Sequence, residues 1–507
     1  MPTYRSPGVY YEEVEAGSRP IEGVGTAVAA FVGFAAKGPM HEPILVTNWS
    51  QFVTTYGDFV EGAYLASAVY GFFANGGGIC YVIRIGDPLT AGNGKPAELA
   101  AGQPVQLGAY RVHALPGVSG QVTVEVAPAD GENAPPEAFK LVVSRDGKVE
   151  ETYPSVTVKR GRDNVANQVR ERSALIGLED SPGAAKPEPQ TVAVPAPPGA
   201  AMAVPLSADR YVGDSEARTG FGGLTAVDEI TMIAVPDLMT AYEAGAIDEQ
   251  TLVAVQEGLI THCELMGNRM AILDVPPGLS PQQIKTWREV TTGFDSKYAT
   301  MYYPWIKVYD PAARRLNFVP PCGHVAGVWA RNDDTRGVHK APANEVVRGA
   351  VAVQTQITKG EHDVLNPIGV NCIRAFPGRG IRVWGARTLS SDSAWRYLNV
   401  RRLFNYLEDS ILNATQWVVF EPNDAALWAR IRRTISAFLV NEWRKGALFG
   451  LTPEDSFYVK CDAETNPAAS IDIGQVVCEI GVAPVKPAEF VIFRLAQISG
   501  GTAEVAE

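Results

Sequence analysis

The chain has 507 residues, more than one hydrophobic core usually holds, so two to four domains are expected. Hydrophobic residues make up 46% and charged residues 20%, the balance of ordinary globular protein, which excludes a fibrous, collagen-like or low-complexity chain. A formal charge of −12 argues against nonspecific binding to nucleic acid or to an anionic membrane, because both require clustered positive charge.

Residues 1–20 hold one β-prone run, Val9 to Val14, among Pro7, Gly17 and Pro20, with no second strand nearby. A lone strand needs a host, so this segment is expected to be an arm, with Val9 and Tyr11 on one face and Tyr10 on the other. No basic start or cleavage site of a signal peptide is visible. The longest apolar run, Ala27 to Ala36, is about half the ~20 residues that span a bilayer, so assembly in the cytoplasm and no membrane insertion are expected. Residues 21–90 read as mixed: an apolar strand to Phe34, Asn48 as an N-cap, a helix with Leu65, Val69 and Phe72 stopping at Gly76–Gly78, then a buried strand, Ile79 to Ile85.

From 91 to 215 the texture changes to short alternating runs broken by Gly, Pro and Asp, a β-rich insertion. Phe139–Ser144 and Val149–Tyr153 flank Asp146-Gly147, whose positive φ angles suit a tight hairpin. Its far edge, from Ser181 to Ala201, is Pro-rich and is expected to be an extended connector. Residues 216–335 alternate strands and helices, an α/β layered middle domain: Ile230–Val235, a helix across Leu252, Val255, Leu259 and Cys263, Arg269–Val275, then a helix opened by Ser280-Pro281 with Ile284, Trp287 and Val290.

Residues 336–487 alternate again. A helix opens at Asn423, buries Leu427, Ile431, Ile435, Phe438 and Leu439 on one arc and ends at Gly446, leaving Arg430, Arg433 and Arg444 on the opposite side. Residues 396–445 carry eight Arg/Lys and five Asp/Glu, a local +3 within an acidic chain. That face is either solvated or a dock for an acidic partner. Two apolar runs close the chain, Val476–Val482 and Phe490–Ile498, joined by Ala483–Pro487 as a semi-rigid tether. Phe490, Ile492 and Arg494 alternate with Val491, Phe493 and Leu495, so both faces are largely apolar and residues 488–507 are expected to be a second arm covered on both sides. The competing reading pairs this run with Val476–Val482 inside its own domain.

Catalytic and metal signatures are not found. Gly33–Pro39 has no GK[ST] ending, Gly220–Gly223 precedes its strand, and Gly378-Arg379-Gly380 lies between two strands with no helix to present amides. Six histidines show no HExxH or i, i+4 pair, and six cysteines show no CxxC, so they read as buried reduced thiols and no cofactor or metal is expected. The adjacent carboxylates Glu12-Glu13 and Asp333-Asp334 read as solvated charges.

Several dense blocks carry a resemblance: GVHKAPANE from Gly337, LNPIGVNCIRAFPGRGIRVWGARTL from Leu365, FEPND from Phe420 and IGVAPVKPAEFVIFRL from Ile480. In this order and spacing they resemble the C-terminal core of the contractile tail sheath proteins of phages and related injection systems. TYRSPGVYYEEV from Thr3, TAVAAFVGFAAKGP from Thr26 and GFFANGGGICYVIRI from Gly71 are similar to the N-terminal blocks of that family, and the middle of the chain is not covered.

The resemblance implies a mixed α+β and α/β multidomain subunit, with an inner core domain from both chain ends and the insertion and middle domain further out. It implies a structural protein, not an enzyme, that polymerises helically around an inner tube, waits extended and then contracts. Its partners would be further copies, the tube, and baseplate and terminator or cap proteins of a phage tail or tail-like particle. The arms would add strands to a small sheet of neighbouring subunits. If the basic helix face is a dock, Arg430, Arg433 and Arg444 would meet an acidic inner tube. An α/β nucleotide- or sugar-handling enzyme and a static structural polymer remain open.

Overall fold

The structure, a computed structural model, describes residues 21–89, 206–311 and 314–494 and most of 105–194. The chain forms two compact units, Met1–Pro88 with Ser207–Glu507, and Leu89–Leu206. Arms at residues 1–20, with Val9, Tyr10 and Tyr11, and Leu495 lie outside the described residues.

The larger unit begins with β1 (Val28–Phe34), a β-branched and aromatic run buried along nearly its whole length. After the short β2 (Ile44–Val46), the Asn48 side chain accepts from Gln51 N–H and opens α1 (Trp49–Tyr56), so it caps a helix separate from the one carrying Leu65. That second helix, α2 (Leu65–Asn75), ends at left-handed Gly76 and feeds β3 (Ile79–Gly86).

The smaller unit holds β4 (Val105–Leu107), β5 (Tyr110–Ala114), β6 (Val122–Pro128), β7 (Phe139–Arg145), β8 (Lys148–Val156), α3 (Val165–Arg172), β9 (Ile176–Glu179) and β10 (Gln190–Val194). They form a sheet in the order β10-β6-β7-β8 and another in the order β4-β5-β9. The expected hairpin is there, with Arg145 opposite Lys148. The Pro-rich stretch departs from expectation because β10 lies within it, antiparallel to β6. Prolines on either side confine it to the sheet's edge, where a missing N–H can face away from the ladder. Val112, Val124, Leu141, Val143 and Ile176 form this unit's own buried core.

The larger unit resumes with α4 (Ala208–Val212), β11 (Met232–Ala234), α5 (Asp237–Glu243), α6 (Glu249–Met266), β12 (Met270–Asp274), α7 (Pro281–Thr286), β13 (Ala299–Tyr303), β14 (Ile306–Asp310), β15 (Arg315–Val319) and α8 (Cys322–Arg336). It continues with β16 (Glu345–Val346), β17 (Ala350–Val353), α9 (Lys359–Leu365), β18 (Val370–Phe376), β19 (Gly380–Val383), α10 (Leu398–Ala414), α11 (Ala425–Arg444), α12 (Pro453–Ser456), β20 (Phe457–Lys460), α13 (Ala468–Asp472) and β21 (Glu479–Val482).

Among the described residues the dominant sheet has nine strands in the order β16-β19-β18-β13-β12-β11-β1-β3-β2. The six from β18 to β3 run parallel, while β2, β19 and β16 are antiparallel additions at its edges. Burial on both faces explains the near-continuous apolar runs of β1, β12 and β13. One sheet therefore passes through residues 21–90, 216–335 and 336–487, so the expected separate middle domain is instead the centre of a single layer. Helix α8 crosses α2 at very short range: a side chain at Gly323 would meet the Ala68 backbone at 2.3 Å, and one at Gly327 the Phe72 carbonyl at 2.4 Å. Only glycine permits that approach.

Two smaller details also differ. Ser280 and Gln283 make the capping box of α7, yet Val290 beyond it is exposed because the helix widens to a π turn over Trp287–Thr292 and turns that residue outward. At α11 the cap is Asp424, which accepts from Leu427 N–H, while Asn423 bonds the Trp428 ring N–H and the Gln475 carbonyl.

Candidate assembly surface

The end of the chain is built around α10, α11 and a two-stranded sheet. On α11 the expected apolar arc is buried: Leu427, Ile431, Ile435, Phe438 and Leu439 join Leu403 and Leu407 of α10 in one cluster. Phe457 and Val459 of β20, and Ile480 and Val482 of β21, pack against that cluster while remaining only partly buried. Their antiparallel register sets Phe457 opposite Val482 and Val459 opposite Ile480. Among the described residues neither strand has another strand beside it.

The outer face is distinctive. Tyr458 is 59% exposed and lies across Gly481 of the opposite strand, where an added Cβ would sit 2.1 Å from its ring. Exposed Phe449 and Leu451 stand on the segment that leads into this sheet.

The chain then leaves β21 along a fixed path. Ala483 N–H donates to Ser456 O, Phe449 N–H to Ala483 O, and Val485 N–H to Ala447 O, while the Asn399 side chain donates to Val485 O. The expected tether at Ala483–Pro487 is thus laid on the body, since its carbonyls and amides find backbone partners there. Its end is clamped. Arg387 donates to both carboxylate oxygens of Glu489, at 2.9 Å and 2.5 Å, with Tyr397 and Asn366 at the same carboxylate. Burial pushes the Glu489 carboxyl up, but the bonds and charge of Arg387 outweigh it and hold the group below the usual glutamate range.

Directly after the clamp the chain is bare. Phe490, Val491, Ile492 and Phe493 are 74%, 68%, 78% and 84% exposed and belong to no strand. Four consecutive large apolar side chains in water are unusual for a soluble surface. Among the described residues of this run, Phe490–Arg494, none pairs with β21, whose partner is β20.

The three arginines of α11 divide. Arg433 and Arg444 are exposed and form no ion pair among the described residues. Arg430 departs from expectation: its guanidinium lies 3.6 Å from the centre of the Trp417 ring, half-buried, so it is held by an intramolecular cation–π contact. Arg432, not singled out from the sequence, donates to Cys461 O. The remaining local charge is mostly spent inside the subunit, on Arg401–Glu408, Arg402–Asp333 and Lys445–Glu442.

The parallel sheet offers a second place to look for chemistry, the crevice where strand order reverses beside β1. Asp237 fills it. Its carboxylate accepts from Phe34 N–H, Tyr64 N–H, Leu65 N–H and the Thr240 hydroxyl. Burial pushes its pKa up to about 6, the four donors opposing. The amides at the start of α2 that could cradle a phosphate are therefore already engaged by a fixed negative group. Among the described residues no cluster of three metal-ligating side chains occurs, and no helix is long and apolar enough to cross a membrane.

Residues 223–389 match the phage tail sheath protein central domain and residues 390–498 the phage tail sheath C-terminal domain, together more than half of the chain. The tail sheath protein of Vibrio phage KVP40 is 28% identical over 246 residues, 45% of this chain and only 35% of that protein. The tail sheath protein of Burkholderia phage BcepMu is 23% identical over 492 residues, covering 93% of this chain and 92% of the relative. In fold, the chain is similar to a subunit of an extracellular contractile injection system, the PVC sheath complex in its contracted state, with a TM-score of 0.60 and 22% identity over 98% of this chain and 99% of the other. The chain belongs to the phage tail sheath protein family.

Proposed function

We propose that the chain is the structural subunit of a contractile sheath that polymerises helically around an inner tube, is held extended, and shortens to drive the tube through a target envelope. The observation that carries this reading is the juxtaposition of a two-stranded sheet with unpaired edges and an exposed apolar tail, Phe490–Phe493, that starts at a clamp. An extended segment that joins a free sheet edge gains main-chain hydrogen bonds and buries alternate side chains. The tail of one copy, with the N-terminal run around Val9, Tyr10 and Tyr11, would extend β20–β21 of neighbouring copies. Because each tail meets a different surface from the one it leaves, the contact is heterologous and builds an open helix.

A static polymer would need no such pivot. In this reading the exposed segment Phe490–Phe493 serves as the link between subunits beyond the Glu489 anchor, so subunits can rotate and remain linked, which favours a contracting assembly. The enzyme alternative is disfavoured by Asp237, which occupies the sheet's crevice. Partners in this reading are an inner tube engaged through Arg433 and Arg444, a baseplate, and a terminator or cap, all assembled in the cytoplasm of a bacterial cell as part of a phage tail or tail-like particle.

Electron microscopy of the purified full chain tests the proposal. Hollow tubes of contracted sheath are expected without any cofactor, since no tube is present to hold the extended state. A monodisperse globular particle at high concentration would overturn it.

A further inference from the structure

The register of β20 and β21 pairs residues whose numbers sum alike: Phe457 with Val482, Tyr458 with Gly481, Val459 with Ile480 and Lys460 with Glu479. One step further along the same ladder stand Cys461 and Cys478. Asn466 holds the two chain segments together at that point. Its side chain accepts from Val477 N–H at 2.6 Å and donates to Val477 O at 3.0 Å, and the same amide nitrogen lies 3.8 Å from Cys461 Sγ. The two thiols lie close enough that each affects the other's ionisation. Directly opposed residues of antiparallel strands have Cα atoms about 4.5–5.5 Å apart, inside the roughly 4.4–6.8 Å that a disulfide bridges. The other four cysteines are buried and scattered through the sheet and helices.

We propose that Cys461 and Cys478 are a redox-active pair, oxidised by a small-molecule disulfide to a single intrachain bond that clips β20 to β21. Cys478 is half-buried and Cys461 fully buried, which fixes the order of events. Cys478 loses its proton to solvent and its thiolate attacks the small disulfide, forming a mixed disulfide and expelling one small thiolate. Cys461, deprotonated in turn, attacks Cys478 Sγ and expels the second. Two protein thiols are thereby oxidised and one small disulfide is reduced to two thiols.

Burial raises both thiols, Cys478 to about 12, so the reduced pair is slow to react at neutral pH. The clip forms over prolonged exposure to oxidant and leaves the pair reduced in a thiol-rich compartment. It closes the loop that contains α13 and holds the ends of the strands from which the tail departs. Its mechanical consequence rests on the proposed role of this sheet in linking subunits, since tension on the tail is applied to β21. The bond itself does not depend on that role.

The test is to incubate the full chain with oxidised glutathione at pH 7, 8 and 9, alkylate, and map peptides without reduction. Titratable thiols in the unfolded product should fall from six to four, with one Cys461–Cys478 cross-linked peptide lighter by two hydrogens and restored by dithiothreitol. The initial rate should rise about tenfold per pH unit, following the thiolate fraction. In Cys461→Ser, Cys478 should stop at the mixed disulfide with glutathione. Six thiols surviving in the wild-type chain, a lasting mixed disulfide at Cys478, or a bond between two copies would each overturn the proposal. Measuring oxidation both in tubes and in unassembled chain separates it from the sheath reading: a clip in a protein that never polymerises sinks only the latter.

Discussion

Arg402 of α10 and Asp333 of α8 form an ion pair at 2.5 Å with both side chains 3% exposed. A second Arg402–Asp333 bond at 2.9 Å makes it bidentate, the Thr26 hydroxyl donates to the same carboxylate, and the guanidinium donates to Thr26 O while lying over the Trp329 ring. One ion pair thus joins the segment entering β1, the helix behind the central sheet and the helix of the assembly surface. Asp333, read from sequence as a solvated charge, is therefore corrected to a buried structural carboxylate.

Removing one partner leaves the other charged and buried, which costs roughly 3–5 kcal/mol. Asp333→Ala and Arg402→Ala are each expected to lower the unfolding free energy of the unassembled chain, read from urea denaturation, by that amount. The pair Asp333→Leu with Arg402→Met should lose much less, because it leaves no orphan charge. Equal losses for single and double replacements would show that packing, not charge burial, dominates.

Asp274 predicts a pH dependence. Burial pushes its carboxyl up to about 7, against bonds from Cys322. A folded pKa above the unfolded value means the native state binds the proton more tightly, so this contribution is complete below about pH 4 and is lost as pH rises through 7. Asp237, raised to about 6, acts in the same direction. Asp274→Asn should flatten the decline in stability between pH 5 and 8 by roughly 2–3 kcal/mol. A wild-type stability that rises steadily over this range, with the variant parallel to it, would contradict the assignment.

The unit Leu89–Leu206 has its own core and sheets, and sequence texture alone marked a region close to it. Expressed separately, it should unfold in one cooperative transition. A chain joining Pro88 to Ser207 through a short Gly/Ser linker should fold and still polymerise. Aggregation of the shortened chain, with loss of far-ultraviolet helix signal, would show that the two units depend on each other for folding.

How much of this was readable in the sequence follows from how local each signal is. Strands Ile79–Gly86 and Met270–Asp274, the β7–β8 hairpin, and the apolar arc of α11 rest on runs and turns within about 20 residues, and they were legible. Partners far apart in sequence were not. Nothing near Asp333 announces Arg402, nothing near Glu489 announces Arg387, and the Trp417 ring that takes up Arg430 is reached by a turn between two helices. The division of residues 216–335 from their flanks failed for the same reason: alternation identifies a layered α/β segment, but only tertiary pairing shows that its strands continue a sheet begun at Val28.

The Arg387–Glu489 clamp sets where the free tail begins. Arg387→Ala should leave the central sheet unchanged but raise amide exchange at Ala483 and Val485 about tenfold or more, the effect expected from losing a charge-assisted bidentate pair. Unchanged protection at both amides would place the anchor in the backbone bonds to residues 447–449.

The exposed arginines give the sharpest test of tube contact. Arg433 and Arg444 are available to an acidic surface, whereas Arg430 is committed to Trp417. Each exposed ion pair contributes only about 0–1 kcal/mol, but repetition along a polymer makes weak contacts collectively decisive and still breakable. Arg433→Glu with Arg444→Glu should therefore spare subunit folding and sheath self-assembly while abolishing capture of the extended, tube-filled state in micrographs of co-expressed sheath and tube. Raised salt should mimic the defect in the wild-type assembly, because exposed pairs are screened within about 8–10 Å. Arg430→Ala should behave differently, loosening the turn around Trp417 and lowering thermal stability modestly without selective loss of tube capture. Normal tube-filled particles from the double charge reversal would remove Arg433 and Arg444 from the tube interface.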